Sequence, residues 1–399
     1  MLKKKILLGV TGSIAAYKAA ELIRQLRQNN FFVQVIMTKT AKQFITPMTL
    51  QALSGNPVLE NMWDPSEGNG MEHINLSRTA DLILIAPASA NFLAKLSNGI
   101  ADDLLSNLCL ARRCPLLVAP AMNVEMFNNS ATQRNILNLK KDHIKFSGPD
   151  NGEQACGDYG AGRFVNLDTL ILDVKKLIAT PLFQGKKILI SSGATSEKID
   201  DARAITNLSS GLMGLHLAQS AYILGAEVTV INGKSNYIYP SCIKTISAET
   251  HEEMLTQANY HILRNDIFIS AAAISDFKPH TVKGKIKKNQ KYLSLELFKT
   301  EDILSLIKIK NESAFLVGFA AESNNLVKNA TKKLNEKKLN MVVANLINES
   351  MGKSSAQVTV IDRSSKIVLP KKKKEDLTLD ILEQIFKVYS KEMNNDHIY

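Results

Sequence analysis

The sequence lacks any apolar run approaching the ~18 residues that a membrane-spanning helix needs. It has only four cysteines, Cys109, Cys114, Cys156 and Cys242, with no C-x-x-C pair and no metal-type spacing to its histidines. That excludes a disulfide scaffold and a thiolate zinc site, and it fits free thiols in a reducing, cytoplasmic compartment. It also lacks a basic arm. Lys and Arg number 49 against 38 Asp and Glu, but the net charge of +11 is shared almost evenly on either side of residue 187, and the longest unbroken run is Lys371–Lys374. Such a spread favours solvated lysine-rich faces over a nucleic-acid or membrane surface. The lysines near Lys285 and Lys333 are the ones that suit a phosphorylated ligand.

What is present is ordinary globular composition, 45% apolar and 22% charged over 399 residues, enough for two or three domains with real cores. Met1–Val10 has the basic start and apolar run of a leader. The run stops at Val10 before Thr11, Gly12 and Ser13, so a buried first strand is expected. Short apolar runs alternate with amphipathic segments throughout, the pattern of βαβ units and a parallel sheet. Strands are predicted at 5–10, 32–37, 81–86 and 115–119. Helices are predicted at 15–28, 49–53, 91–96 and 124–139. Around Thr180–Lys187 the pattern resets, and a new strand at 187–191 runs into Gly193 as the first ran into Gly12. Further strands are expected at 227–231, 267–271, 315–319, 341–344 and 357–361, and a terminal helix at 377–390. The reading is α/β: two doubly wound, Rossmann-like three-layer domains, 1–187 and 188–399, with ligands beyond the carboxyl ends of the strands.

The chemistry-bearing residues stand there. Gly9–Lys18 is a strand, a glycine turn and a helix start in which backbone N–H groups and Ser13 can hold a phosphate. It is not G-x-G-x-x-G, which argues against a dinucleotide; a plain tight turn explains it equally well. In Ala119-Pro-Ala-Met-Asn123, Asn123 can dock a carboxylate or cap the next helix. His73 begins an amphipathic turn, where a surface or capping role is the ordinary one. The stretch 149–163 holds four glycines and Cys156; it reads as a mobile binding loop, making Cys156 a better acid or nucleophile than Cys109 in its apolar helix. In the second half, Ser209, Ser210 and Gly211 precede an apolar helix, a phosphate-binding arrangement that an ordinary Ser-capped helix explains equally well. Asp276 follows a strand and a lysine cluster at 283–288 comes next; such lysines are ordinarily solvated, but with the aspartate they also suit a metal-bound triphosphate. Lys333 and Lys337 share one helix face.

The glycine turn, His73, P-A-M-N and Q-A-C-G-D together resemble the flavin-dependent cysteine decarboxylases, and within them the N-terminal half of the bacterial bifunctional phosphopantothenoylcysteine decarboxylase/phosphopantothenate–cysteine ligases. The resemblance implies a flavodoxin-like domain binding FMN at Gly12, Ser13, Thr38 and Ser89, with Ala101–Leu104 nearby. It implies Cys156 as proton donor, Asn123 holding the substrate carboxylate and His73 assisting. Residues 187–362 resemble the ligase half. There the resemblance implies CTP, Mg2+ with unidentified protein ligands, an acyl cytidylate handled by Asn207 and Arg203, and Lys285 in the second step. Ser270, Ala271, Ala272, Asp276, Lys285, Glu301, Asp302, Ile303, Leu304, Phe319, Lys333 and Lys337 would line the CTP site. The partners implied are 4′-phosphopantothenate, cysteine and CTP, with no nucleic acid and no membrane, and a homo-oligomer with flavin sites between subunits. The chain departs from the family pattern at Ala194, Ser196, Leu212, Lys299–Asp302 and Met351–Gln357, so a working but slower ligase is expected. The alternatives are a decarboxylase with a weakened ligase half, another flavin-sheet enzyme, or a non-catalytic flavin-fold regulatory subunit.

Overall fold

The computed structural model describes residues 3–62, 72–287 and 292–395. It divides into two compact units between Ala179 and Thr180. The segment after the division belongs to the second unit: Phe183 is fully buried in its core, and the Phe183 N–H donates to the Leu224 carbonyl at 2.9 Å.

The first unit is built on β1 (Lys5–Val10), β2 (Phe32–Met37), β3 (Leu82–Ala88), β4 (Leu116–Pro120) and β5 (Lys145–Phe146). They form a five-stranded sheet in the order β2-β1-β3-β4-β5, parallel at every pairing. β1, β3 and β4 are nearly continuous apolar runs because both faces are covered. One face carries the helices Lys18–Gln28 and Leu167–Ile178; the other carries Ala90–Ser97, Leu104–Ala111 and Ser130–Lys141. Lys18–Gln28 buries Ala19, Leu22, Ile23 and Leu26, the spacing of one helical stripe. The expected helix 124–139 is two helices, broken at Asn129, whose side chain caps the second by accepting from the Ala131 N–H at 2.9 Å. The segment expected as a loop at 149–163 is an antiparallel hairpin of β6 (Asp150–Glu153) and β7 (Tyr159–Arg163).

The second unit contains β8 (Lys187–Ser192), a small pair β9 (Ser196–Lys198) and β10 (Ala204–Thr206), then β11 (Glu227–Asn232), β12 (Lys244–Ser247) and β13 (Ile267–Ser270). A second small pair follows, β14 (Phe277–Pro279) and β15 (Leu297–Lys299), then β16 (Phe315–Glu322), β17 (Met341–Leu346), β18 (Ser355–Asp362) and β19 (Lys366–Lys373). The main sheet has the order β12-β11-β8-β13-β16-β17-β18-β19. It is parallel from β12 to β17 and antiparallel for β18 and β19. Helices cover both faces. The last strand was not foreseen. Its run K-I-V-L-P-K-K-K buries only Leu369 fully, since it is an edge strand whose lysines and proline discourage further pairing.

In both sheets the strand order reverses beside the first strand, between β1 and β3 and again between β8 and β13. Doubly wound sheets bind ligands in the crevice at such a reversal. The helix Leu212–Ile223 reaches this edge closely through Gly214, where an added Cβ would lie 1.9 Å from Ser192 Oγ. Gly214→Ala is therefore expected to overpack the second unit by about 1–3 kcal/mol. A denaturant midpoint equal to that of the parent would contradict this close approach. Among the described residues, no helix is long and apolar enough to cross a membrane.

Candidate active sites

At the carboxyl edge of the first sheet, Thr11 ties the two strands of the reversal together. Its hydroxyl donates to the Pro87 carbonyl at 2.8 Å and accepts from the Ser89 N–H at 2.9 Å. Thr11 carried no expectation, because a buried threonine after a strand has no distinguishing sequence pattern. Ser13 caps the short helix Ile14–Tyr17 by accepting from the Ala15 N–H at 3.3 Å, and its hydroxyl donates to the Ala121 carbonyl at 3.1 Å. Ser89 caps Ala90–Ser97, and Thr38 follows β2, accepting from the Ala41 N–H at 3.4 Å. The four expected positions Gly12, Ser13, Thr38 and Ser89 thus follow β1, β2 and β3. Their hydroxyls and two helix starts form a donor set without a carboxylate, which fits an anionic phosphate on a flat polar cofactor. The stretch 101–104 is otherwise engaged: Lys95 Nζ pairs with Asp102 at 2.6 Å and Asp103 at 3.0 Å, and Asp103 makes a capping box with Ser106.

Asn123 caps the next helix, and its amide is also turned toward the hairpin. Its Oδ1 accepts from the Glu125 N–H at 2.8 Å, capping Val124–Asn128. Its Nδ2 donates to Asp158 Oδ2 at 2.7 Å and to Cys156 Sγ at 3.3 Å. Cys156 Sγ in turn lies 3.3 Å from Asp158 Oδ2. Asp158, quoted in the Q-A-C-G-D run but given no role there, closes a three-residue cluster at the hairpin turn. The glycines explain how the hairpin docks. An added Cβ at Gly162, where φ is +121°, would lie 2.5 Å from the Met122 carbonyl. The Met122 N–H donates to Gly162 O at 3.0 Å, and Gln154 Oε1 accepts from the Val124 N–H at 2.9 Å. Cys156 is exposed while Cys109 is fully buried, and burial pushes the Cys109 thiol up to about 12, leaving it inert. His73 lies in the helix Glu72–Thr79; its side chain is outside the described residues.

The second unit holds a cleft of about 960 Å³ at its sheet reversal. Asn207, Ser270, Ala271, Ala272, Asp276, Glu301, Asp302, Ile303, Leu304, Phe319, Lys333 and Lys337 all line it, as do Leu212 and Met351, two of the departures from the family pattern. The Asn207 amide donates to the Ala273 carbonyl at 3.0 Å, bridging two walls. Lys333 donates to the Phe319 carbonyl at 2.6 Å, and burial and the neighbouring Lys337 hold its pKa below the ordinary lysine value. Lys337 pairs with Asp302. Burial pushes the Asp302 carboxyl up, but Lys337 and the Ser305 N–H outweigh it, and the net shift is downward.

Arg203 and Lys285 do not line this cleft. Arg203 Nη1 donates to Asp200 Oδ2 at 2.6 Å and to the Ile286 carbonyl at 3.3 Å, while the Ile286 N–H donates to Asp200 Oδ2 at 3.1 Å. Buried Asp200 therefore couples the Arg203 loop to the segment bearing exposed Lys285. Sequence reasoning missed Asp200 and also His251, which is buried and bonds the Glu301 carbonyl through Nε2 at 2.7 Å and Glu197 Oε1 through its backbone N–H at 2.8 Å. Among the described residues, no group of three or more His, Cys, Asp or Glu could hold a metal ion.

Residues 1–179 match a family model described as Flavoprotein. Residues 183–389 match one described as the DNA/pantothenate metabolism flavoprotein C-terminal domain. The coenzyme A biosynthesis bifunctional protein CoaBC of Vibrio parahaemolyticus is 42% identical over 389 residues, 96% of this chain and 98% of the relative. That of Escherichia coli (strain K12) is 38% identical over 396 residues, 97% of each chain. Among solved structures, the C-terminal domain of a CoaBC protein is 36% identical with a TM-score of 0.46, covering 53% of this chain and all of that one. The FMN binding protein AtHal3 is 33% identical with a TM-score of 0.38, covering 44% and 96%. With both halves matched in order and relatives aligned along nearly their whole length, the chain belongs to the family of coenzyme A biosynthesis bifunctional proteins, CoaBC.

Proposed function

We propose that this chain performs two consecutive steps of coenzyme A synthesis: CTP-dependent ligation of cysteine to 4′-phosphopantothenate, then FMN-dependent decarboxylation of the product to 4′-phosphopantetheine. The observation that carries it is the pairing, in one chain, of the Cys156–Asn123–Asp158 cluster with the Asn207–Asp276–Lys333 cleft.

In the ligase half, a carboxylate oxygen of 4′-phosphopantothenate attacks the α-phosphorus of CTP. Pyrophosphate leaves and an acyl cytidylate forms. Cysteine's amine then attacks the acyl carbon and expels CMP, giving the amide. Lys333 and Lys337 supply positive charge for the nucleotide, and Asp276 suits the Mg2+ that accompanies a triphosphate. Asn207 presents its amide to the acyl cytidylate. Arg203 and Lys285, linked through Asp200, act from the neighbouring loops, Lys285 in the amide-forming step.

In the decarboxylase half, Gly12, Ser13, Thr38 and Ser89 hold FMN. When bound, the flavin supplies reversible two-electron chemistry, oxidising the substrate thiol to a C=S electron sink that permits loss of CO2 and afterwards returning the electrons. Asn123 orients the leaving carboxylate. The Cys156 thiol donates the proton that completes the reduced product, with Asp158 fixing the positions of both side chains; His73 assists. The free thiols support a cytoplasmic setting.

Mass spectrometry of purified chain given 4′-phosphopantothenate, cysteine, CTP and Mg2+ tests the reading. Formation of 4′-phosphopantetheine is the expected result. Accumulation of 4′-phosphopantothenoylcysteine would mean that the flavin half is dead. Absence of both products, with conversion of supplied 4′-phosphopantothenoylcysteine intact, would leave a decarboxylase fed by another enzyme.

A further inference from the structure

Lys374 ends the run Lys371–Lys374 and is its one buried member. Lys374 is only 6% exposed. Its Nζ donates to the Ser350 carbonyl at 3.0 Å, and its backbone N–H donates to Ser354 O at 2.9 Å. It lines the ligase cleft beside Asn345, Ser350, Met351 and Gly352. Among the described residues, no carboxylate forms an ion pair with it, and burial pushes its pKa below the ordinary lysine value. A buried cation without a counter-charge is costly, and the single carbonyl it meets uses one of its three donors.

The topology adds a second observation. β18 is antiparallel to β17, and β19 is antiparallel to β18, so β19 ends at the same carboxyl edge as the parallel strands. The helix Lys374–Asn395 therefore begins at the edge where Leu212–Ile223 begins. These two helices share one core cluster and are joined by Ser220 Oγ and Thr378 Oγ1 at 2.9 Å. The cleft is thus lined by a buried ammonium group and by the first residues of both helices, whose N-termini favour an anion.

We propose that Lys374 is an anion-binding residue of this cleft that takes a phosphate group of a bound substrate. The proposal rests on the ligase reading above. Two phosphates share the chemistry, the monoester of 4′-phosphopantothenate and the triphosphate of CTP.

The test is calorimetric titration of the full-length chain and its Lys374→Met and Lys374→Arg variants with 4′-phosphopantothenate, pantothenate and CTP separately. The parent is expected to favour 4′-phosphopantothenate over pantothenate. Lys374→Met should remove that preference by weakening the phosphorylated ligand about tenfold or more, with pantothenate unaffected and the unfolding midpoint unchanged or raised. Lys374→Arg should retain part of the preference. If CTP weakens instead and the preference persists, the anion role stands and the triphosphate is its source. If Lys374→Met alters neither anion, or weakens all three ligands together with a lowered midpoint, the residue is a packing lysine and the proposal is overturned. It is equally overturned if the parent chain binds neither anion. Failure of the ligase reading shows separately, as a parent chain that binds these ligands but forms no amide.

Discussion

Cys156→Ser is expected to leave cysteine ligation at parental rate while lowering 4′-phosphopantetheine formation by about 10²–10⁴-fold. Serine keeps a donor and acceptor on the same Cβ, at a slightly shorter reach, facing the Asn123 Nδ2 and Asp158 Oδ2 that now lie 3.3 Å from Sγ. What changes is acidity. A thiol gives up a proton far more readily than an alcohol. Proton delivery at the end of the cycle should therefore stop after CO2 has already left, and a decarboxylated but unreduced product should accumulate. Mass spectrometry of the reaction on supplied 4′-phosphopantothenoylcysteine reads this directly. Full conversion to 4′-phosphopantetheine by the variant would remove Cys156 from its proposed role. The buried Cys109 offers no substitute, because its thiol stays protonated and has no access to substrate.

Asn207→Asp should do the reverse, cutting ligation by about 10²–10³-fold while decarboxylation of supplied substrate continues. The Asn207 amide is a donor, and its present acceptor is the Ala273 carbonyl at 3.0 Å. A carboxylate of the same shape cannot donate there. It would set a negative charge against a carbonyl oxygen and against the triphosphate expected between Lys333 and the Ser209–Gly211 turn. Release of pyrophosphate from CTP and amide formation can be measured separately, so the step affected is visible. Equal ligation by parent and variant would contradict the proposed contact. Because the two variants spare opposite halves, each serves as the other's folding control.

Much of this was open to reading along the chain. The buried strands are near-continuous apolar runs, and a parallel sheet follows from them whatever the side chains beyond their ends. Ser13 and Asn123 were recognisable because a hydroxyl or amide between a strand and a helix start has a local physical task, capping orphan N–H groups; Ser89 was named only by the family resemblance. Asp276 was recognisable as a polar residue just past a strand's carboxyl end, whereas Ser270, Ala271, Ala272 and Phe319 were named by the family resemblance.

Tertiary structure decided the rest, because long-range contacts leave little local trace. Asp158 reads as an ordinary turn aspartate until the hairpin lays it against Asn123, and Thr11 matters only because β3 lies beside β1. Arg203 and Lys285 proved to belong to a loop pair held by Asp200, a connection spanning more than eighty residues of sequence. Lys374 is the sharpest case. In sequence it is one of four consecutive lysines, indistinguishable from its neighbours. Only the return of β19 to the carboxyl edge, and the seating of the last helix over the sheet, take that one amine out of water and set it at the cleft. The sequence by itself determined the sheets, their glycine turns and the kinds of chemistry at their edges. Which charges are buried, and which side chains meet, depended on strand order and docking, since burial is a property of the packed chain and not of any local run within it.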